Sequence, residues 1–245
     1  MKNQPAFKTT NLTKKYKEKV AVDQLNLEVE EGELFALLGV NGAGKTTTIR
    51  MLTCLSTPTS GEAEIFGHSV TGDPDAVKAM VGVSPQDTAV ADNLTVVENL
   101  RFMAEIYGKD GRESADRIIE DFGLTEVRDK KARTLSGGWK RRLSIAMAII
   151  GDPRILFLDE PTLGLDVLAR RELWSVIRKL RKRMTIILTT HYMEEAEELA
   201  DRIGIMMNGR LVRLGTMPEL EADTGVKGLE QVFVTVAEKE GVYHV

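Results

Sequence analysis

The hydrophobic pattern changes period along the chain. Val20, Val22, Leu25, Leu27 and Val29 alternate with polar residues, with a phase slip near Asp23. A period of two with one apolar side predicts strands of a sheet with one dry face. Residues 34–38 are instead a continuous apolar run, the mark of a strand buried on both faces. A helix is expected over about 45–55, then a turn at Pro58 and Gly61 and a short strand at 63–66. From about Asp87 to Leu135 the period lengthens. Val97, Leu100, Ala104 and Tyr107 fall on one helical face, and Ile118, Ile119 and Phe122 on another, so this stretch reads as a mostly helical insertion. A long helix over 136–150 follows, with Leu143, Ala146, Met147 and Ile150 as its buried stripe. Residues 155–158 make a buried strand, 166–183 a helix that turns basic towards its end, and 185–190 another strand. The tail from Gly225 carries one more amphipathic segment. Strands alternating with helices predict a parallel-sheet α/β core.

Composition narrows the class. A chain of 245 residues suffices for one well-packed domain with an inserted subdomain. Hydrophobic residues at 42% and charged residues at 29% match an ordinary globular protein, not a disordered one. A net charge of −4 lacks the basic excess of nucleic-acid binders, and no nucleic-acid partner is expected. The single cysteine, Cys54, excludes an internal disulfide and fits a reducing compartment. No apolar run follows Met1-Lys2-Asn3-Gln4-Pro5, so no signal peptide is expected. The most apolar stretch, 143–158, is cut by Gly151-Asp152-Pro153-Arg154 and falls short of the roughly 18 residues that span a bilayer. Any work at a membrane would require another protein to hold the chain there.

The chemistry concentrates in two places. Gly39-Val40-Asn41-Gly42-Ala43-Gly44-Lys45-Thr46 fits G-x-x-x-x-G-K-[ST], between an expected strand and an expected helix. Glycines let successive backbone N–H groups turn inward towards phosphate oxygens. Lys45 supplies a mobile charge for the outer phosphates, and the Thr46 hydroxyl suits Mg²⁺. The helix behind the loop, with Thr47 in its first turn, adds its positive N-terminal end. Average residue usage puts a chance match at about one chain in a hundred, and the strand-loop-helix context removes most of that. The second place is Ile155-Leu156-Phe157-Leu158-Asp159-Glu160, an apolar strand ending in two carboxylates. Strand ends are where α/β proteins place their chemistry. Asp159 suits a metal held through water, and Glu160 a general base that polarises the attacking water. An ordinary solvated strand end explains two acids equally well when taken alone; the phosphate loop tips the balance.

Between these elements lies Leu135-Ser136-Gly137-Gly138-Trp139. With it the chain resembles the ATP-binding subunits of ABC transporters over nearly its whole length, with every motif in order. Tyr16 matches the aromatic that stacks on adenine, Gln86 the Q-loop glutamine, and Leu135 to Trp139 the signature motif. Asp159 and Glu160 match the Walker B pair, Gly164-Leu165-Asp166 the D-loop, and His191 the switch histidine. His68 and His244 have no such context. Ser136 is a good N-cap for the next helix, and Gly137 and Gly138 leave N–H groups uncovered beside its positive end, which suits a terminal phosphate.

The resemblance implies an ABC ATPase fold: a P-loop NTPase parallel-sheet core with an N-terminal antiparallel β subdomain and an inserted helical subdomain. One domain would span 1–245, with core and β subdomain in 1–86 and 151–245 and the helical subdomain in 87–150. It also implies ATP and Mg²⁺ as cofactors. Catalytic roles would fall to Glu160, His191 and Lys45. Nucleotide contacts would come from Tyr16, Gly39 to Thr47, Ser136, Gly137, Gly138 and Asp166, and metal contacts from Thr46, Gln86 and Asp159. Each site would be shared, one chain's Ser136 region facing the other's Lys45 loop in a homodimer or heterodimer, with Asp166 at the boundary. Separate transmembrane permease subunits would hold the chain at the cytoplasmic face of the membrane.

One position departs from the family. Trp139 stands where glutamine is usual, which puts the details of interface closure in doubt. The insertion lacks the long heptads of chromosome-structure and DNA-repair ATPases, and a single ATPase unit argues against the paired soluble translation factors. The tail Gly228-Leu229-Glu230-Gln231-Val232-Phe233 resembles ATPases that drive exporters of drugs, antibiotics, lipids or polysaccharides. Two further readings remain at this point: a non-transport ABC ATPase acting as a soluble switch, and a nucleotide-binding module with little turnover owing to Trp139.

Overall fold

Which residues form strands is decided by burial on one face or both. The protein is described here from a computed structural model covering residues 5–242; His244 lies outside them. Strands β1 (Phe7–Tyr16), β2 (Lys19–Val29) and β3 (Leu34–Leu38) come first, then helix α1 (Lys45–Leu52). Strands β4 (Ser60–Ile65) and β5 (His68–Ser69), helix α2 (Pro74–Met80) and strand β6 (Val81–Ser84) follow. Helices α3 (Val96–Ile106), α4 (Gly111–Asp121) and α5 (Gly137–Ile149) lead to β7 (Ile155–Asp159), α6 (Val167–Leu180) and β8 (Thr185–Thr190). Helix α7 (Met193–Leu199), the hairpin β9 (Arg202–Met207) and β10 (Arg210–Gly215), and helices α8 (Met217–Thr224) and α9 (Leu229–Lys239) close the chain.

The contacts divide into two units. The first runs up to Lys78 and resumes at Thr185; the second is Ala79–Met184. In the first unit an antiparallel sheet has the order β2-β1-β4-β5. Its dry face carries Phe7, Leu12, Leu25, Leu27, Ala63 and Ile65, all buried. Two residues break the alternation, Asn11 at φ 48° and Gln24 at φ 47°, and each shifts the register between β1 and β2. The slip expected near Asp23 is thus a bulge at Gln24, and Val20, ahead of it, lies outside the dry face at 38% exposed. The same unit places β3 between β8 and β9 in parallel, with β10 antiparallel on β9. Every residue of β3 is buried, as its continuous apolar run requires, and so is every residue of β8, whose Thr185, Thr189 and Thr190 lie inside with its apolar residues.

In the second unit β6 and β7 pair in parallel, from Val81 beside Ile155 to Ser84 beside Leu158. Helix α5 lies on β6. Gly82 makes room for it: a Cβ there would sit 2.4 Å from the Ala148 carbonyl oxygen and 2.9 Å from Pro153 Cγ. Overpacking of that kind costs about 1–3 kcal/mol. Gly82→Ala is therefore expected to lower the thermal unfolding midpoint by roughly 3–10 °C, read by calorimetry. An unchanged midpoint would show that the helix can shift freely. Near the far end of α5, Asp152 receives Lys109 Nζ and Arg117 Nη2, tying the α3–α4 connection to the loop before β7.

Several boundaries differ from the sequence expectation for identifiable reasons. Helix α1 stops at Leu52, three residues short, because Cys54 takes the left-handed conformation at φ 58°. Tyr107 does not join the buried face of α3; it is the C-cap, 42% exposed, with its ring against Gly151. Helix α5 does not carry a single stripe, since Leu143 to Ile149 are all buried. Ser136 occupies the N-cap position of α5, but its hydroxyl makes no capping bond.

Candidate functional site

The first unit carries the glycine-rich loop. The loop leaves β3 at Gly39, whose N–H donates to the Thr190 carbonyl at 3.2 Å, so it begins beside the end of β8. Ala43 N–H then donates to the Val40 carbonyl at 3.1 Å, which closes the curl. The Gly209 N–H donates to the Ala43 carbonyl at 3.1 Å and Asp23 N–H donates to Gly209 at 2.8 Å, so β2 and the β9–β10 turn brace the loop from behind. Two glycines are required for different reasons. Gly44, at φ 107°, has the Ala21 carbonyl oxygen 2.4 Å from where a Cβ would be. Gly42, at φ 83°, has nothing within 4 Å, leaving the mouth of the loop open to a ligand.

Lys45 is 5% exposed and its Nζ donates to the carbonyls of Gly39 at 2.7 Å and Val40 at 3.3 Å. The ammonium is thereby held inside the curl of its own loop. Thr46 and Thr47 stand in the first turn of α1, where the helix N-terminus adds positive potential. His191 follows β8 directly, half-buried, its ring centroid 4.1 Å from that of Tyr192. The Tyr192 N–H donates to Thr190 Oγ1 at 3.0 Å, fixing the turn that presents the histidine. Tyr16, at the end of β1 opposite Lys19, is 45% exposed with Lys14 Nζ 5.1 Å from its ring centroid. His68 is engaged elsewhere, 2.7 Å from Asp73 on the surface.

The second unit gathers the remaining candidates. Asp159 ends β7 at 4% exposed and Glu160 follows at 5%. Glu160 has φ 51°, a left-handed conformation that costs a non-glycine residue energy and is maintained only where the surroundings insist on it. Leu163 N–H donates to its carbonyl at 3.2 Å. Thr162, fully buried two residues on, has a hydroxyl with no hydrogen-bond partner among the described residues. The Asp166 carboxylate caps α6 by accepting the Ala169 N–H at 3.0 Å. Ser136 and Gly137 are exposed at the start of α5. A Cβ on Gly138 would lie 3.2 Å from Ala169 Cβ, so the two helix starts sit side by side. The Trp139 ring lies under the Arg142 guanidinium, 4.9 Å away, and Arg142 also pairs with Glu172 of α6.

Gln86 is exposed just beyond β6, and its carbonyl accepts from Arg141 Nη2 at 2.5 Å. Arg141 was not among the residues expected from the sequence. The available signal is a charge one turn before Ser144 and two turns before Ala148 on the same face of α5.

A family model described as ABC transporter matches residues 22–163. The chain belongs to that family. It is 45% identical over 231 residues to the daunorubicin/doxorubicin resistance ATP-binding protein DrrA of Streptomyces peucetius, covering 92% of this chain and 70% of that protein. It is 43% identical over 210 residues to ATP-binding cassette sub-family A member 2 of Homo sapiens, but spans only 9% of that protein's length. Among solved structures, an ATP-binding subunit of an ABC transporter matches with TM-score 0.84 at 28% identity, covering 95% of this chain and 99% of that one. A dimeric, post-hydrolysis state of an ATP-binding cassette bound to ADP and Pi matches with TM-score 0.78 at 27% identity, covering 86% and 98%. The fold is the ABC ATPase fold, and the chain is an ATP-binding, ATP-hydrolysing subunit of that family.

Proposed function

We propose that this ATPase drives export through separate membrane subunits, which hold it at the cytoplasmic face of the membrane. The observation that carries the export reading is the 45% identity to a drug-resistance ATP-binding protein over 92% of the chain. Among the described residues no helix is long and apolar enough to cross a membrane. The direct test is to purify tagged chain from membranes with its neighbours intact. A multi-span protein should co-purify and raise ATP turnover per chain; its absence would favour a soluble switch.

The roles follow from the chemistry of each residue. The backbone N–H groups of residues 39–47 and the Lys45 ammonium bind the phosphates. Glu160 takes a proton from the attacking water. His191 contacts the terminal phosphate. Ser136, Gly137 and Gly138 of a second chain, homologous or identical, complete the site. The Ser136 hydroxyl, exposed and unused by its own helix, suits that task. Asp166 lies at the boundary between the chains. Residues 87–150 form the helical subdomain that responds to the membrane partner.

Mg²⁺ fits the donor set. Thr46, Asp159 and Gln86 offer hydroxyl, carboxylate and amide oxygens, the hard ligands this ion takes. Among the described residues no group of three or more His, Cys, Asp or Glu could hold a metal alone, so the ion would share its ligands with phosphate and water. Bound there, it would neutralise charge on the phosphates.

Tyr16 stacks on the adenine. Lys14 lies over one face of the ring, and the base takes the other. Base–aromatic stacking is worth about 1–3 kcal/mol. Tyr16→Ala is expected to weaken ATP binding about tenfold with kcat nearly unchanged, and Tyr16→Phe to restore it. Equal affinity for all three proteins, by fluorescent-nucleotide titration, would remove Tyr16 from the site.

A further inference from the structure

Contacts of α5 with β6 and with the residues just after it fall in one row along the helix. Gly82 lies against the Ala148 carbonyl, and Ser84 Oγ is 3.0 Å from Ser144 Oγ. One turn nearer the helix start, Arg141 reaches past the end of the strand. Its Nη1 donates to the Pro85 carbonyl at 2.6 Å and its Nη2 to the Gln86 carbonyl at 2.5 Å. Arg141 is 5% exposed. A buried guanidinium that fills two adjacent carbonyls with one rigid fork fixes both position and angle of the backbone it holds. Withdrawing the buried guanidinium from those carbonyls would cost it charge-assisted hydrogen bonds, so the contact resists opening.

The consequence is mechanical. Gly138 lies one turn before Arg141 on the same helix, and the exposed Ser136 hydroxyl stands at that helix's N-cap. Gln86 is the first exposed residue after β6. We propose that Arg141 is a positioning residue for ATP hydrolysis: its fork locks the Gln86 segment to the helix whose N-terminus carries Ser136 to Gly138. A displacement of Gln86 then moves the phosphate-binding end of α5 with it. This rests on the ATPase roles proposed above for Gln86 and Ser136.

The test combines turnover with a structural readout in the full chain. Arg141→Ala should keep nucleotide affinity within about twofold and lower kcat about tenfold or more, with KM little changed. Arg141→Lys, which can hold one carbonyl at a time, should recover part of the loss. In a Gln86→Ala background, Arg141→Ala should cost little further, because its effect runs through Gln86; a loss equal to that in wild type would overturn the proposal. Amide hydrogen exchange without nucleotide gives the second readout. Arg141→Ala should speed exchange over residues 86–91 and 137–140 and leave residues 39–47 unchanged. Unchanged exchange at 86–91 would overturn the clamp, as would faster exchange spread over the whole chain, which marks a general loss of stability. Wild-type chain without turnover would refute the catalytic roles instead, and the exchange pattern would still decide the clamp.

Discussion

Glu160→Gln is expected to lower ATP turnover by about a hundredfold to ten-thousandfold, the span general-base catalysis supplies, while ATP affinity stays within about twofold. The substitution is nearly isosteric, so the turn closed by Leu163 N–H on the Glu160 carbonyl is retained. What is lost is the ability to accept a proton from water. The Glu160 backbone is left-handed, φ 51°, and at 5% exposure the residue is shielded from bulk water. Because binding survives while the chemistry stops, this variant should also accumulate an ATP-bound complex of two ATPase domains. Phosphate release and scattering mass measured on one preparation check both halves. Turnover near that of wild type would assign the base elsewhere.

Lys45→Ala should be damaging in a different way, by removing affinity as well as rate. The ammonium is buried within the loop and already held by the Gly39 and Val40 carbonyls. A charge-assisted bond to phosphate contributes about 1.5–3 kcal/mol, so ATP affinity should fall roughly tenfold to 150-fold, and turnover should fall to background. The loop itself should persist, since β2, β9 and β10 brace it through Asp23 and Gly209. Titration with a fluorescent nucleotide, next to a thermal melt showing a folded chain, separates the two effects. Full activity would show that the loop is not the phosphate site.

Legibility from sequence follows burial. Strand β3 can be read to the residue because both faces are dry and its apolar run is unbroken. Strand β1 cannot, because the Phe7–Tyr16 segment is largely polar and Asn11 breaks its period. The hairpin of β9 and β10 does carry a readable turn, Asn208-Gly209, with both residues at positive φ. Helix α5 looks amphipathic in one dimension, yet its second half is buried nearly all round, so its stripe misleads. The same contrast holds for the site. The loop at Gly39 to Thr46 is legible because its glycines answer local steric demands, such as the Ala21 carbonyl against Gly44. Arg141 is not, because its partners are backbone carbonyls at Pro85 and Gln86, about 55 positions away. No motif marks a carbonyl. Gly82 is hidden for the same reason: its constraint is the Ala148 carbonyl of a distant helix.

The proposed function makes one chain sufficient to bind ATP and two ATPase domains necessary to hydrolyse it. Steady-state phosphate release per chain, measured at saturating ATP and Mg²⁺ over a wide range of chain concentration, tests it most directly. Turnover per chain should rise with concentration and then level off as pairs form. Turnover per chain that holds constant down to concentrations where scattering shows only the 27.2 kDa monomer would contradict it.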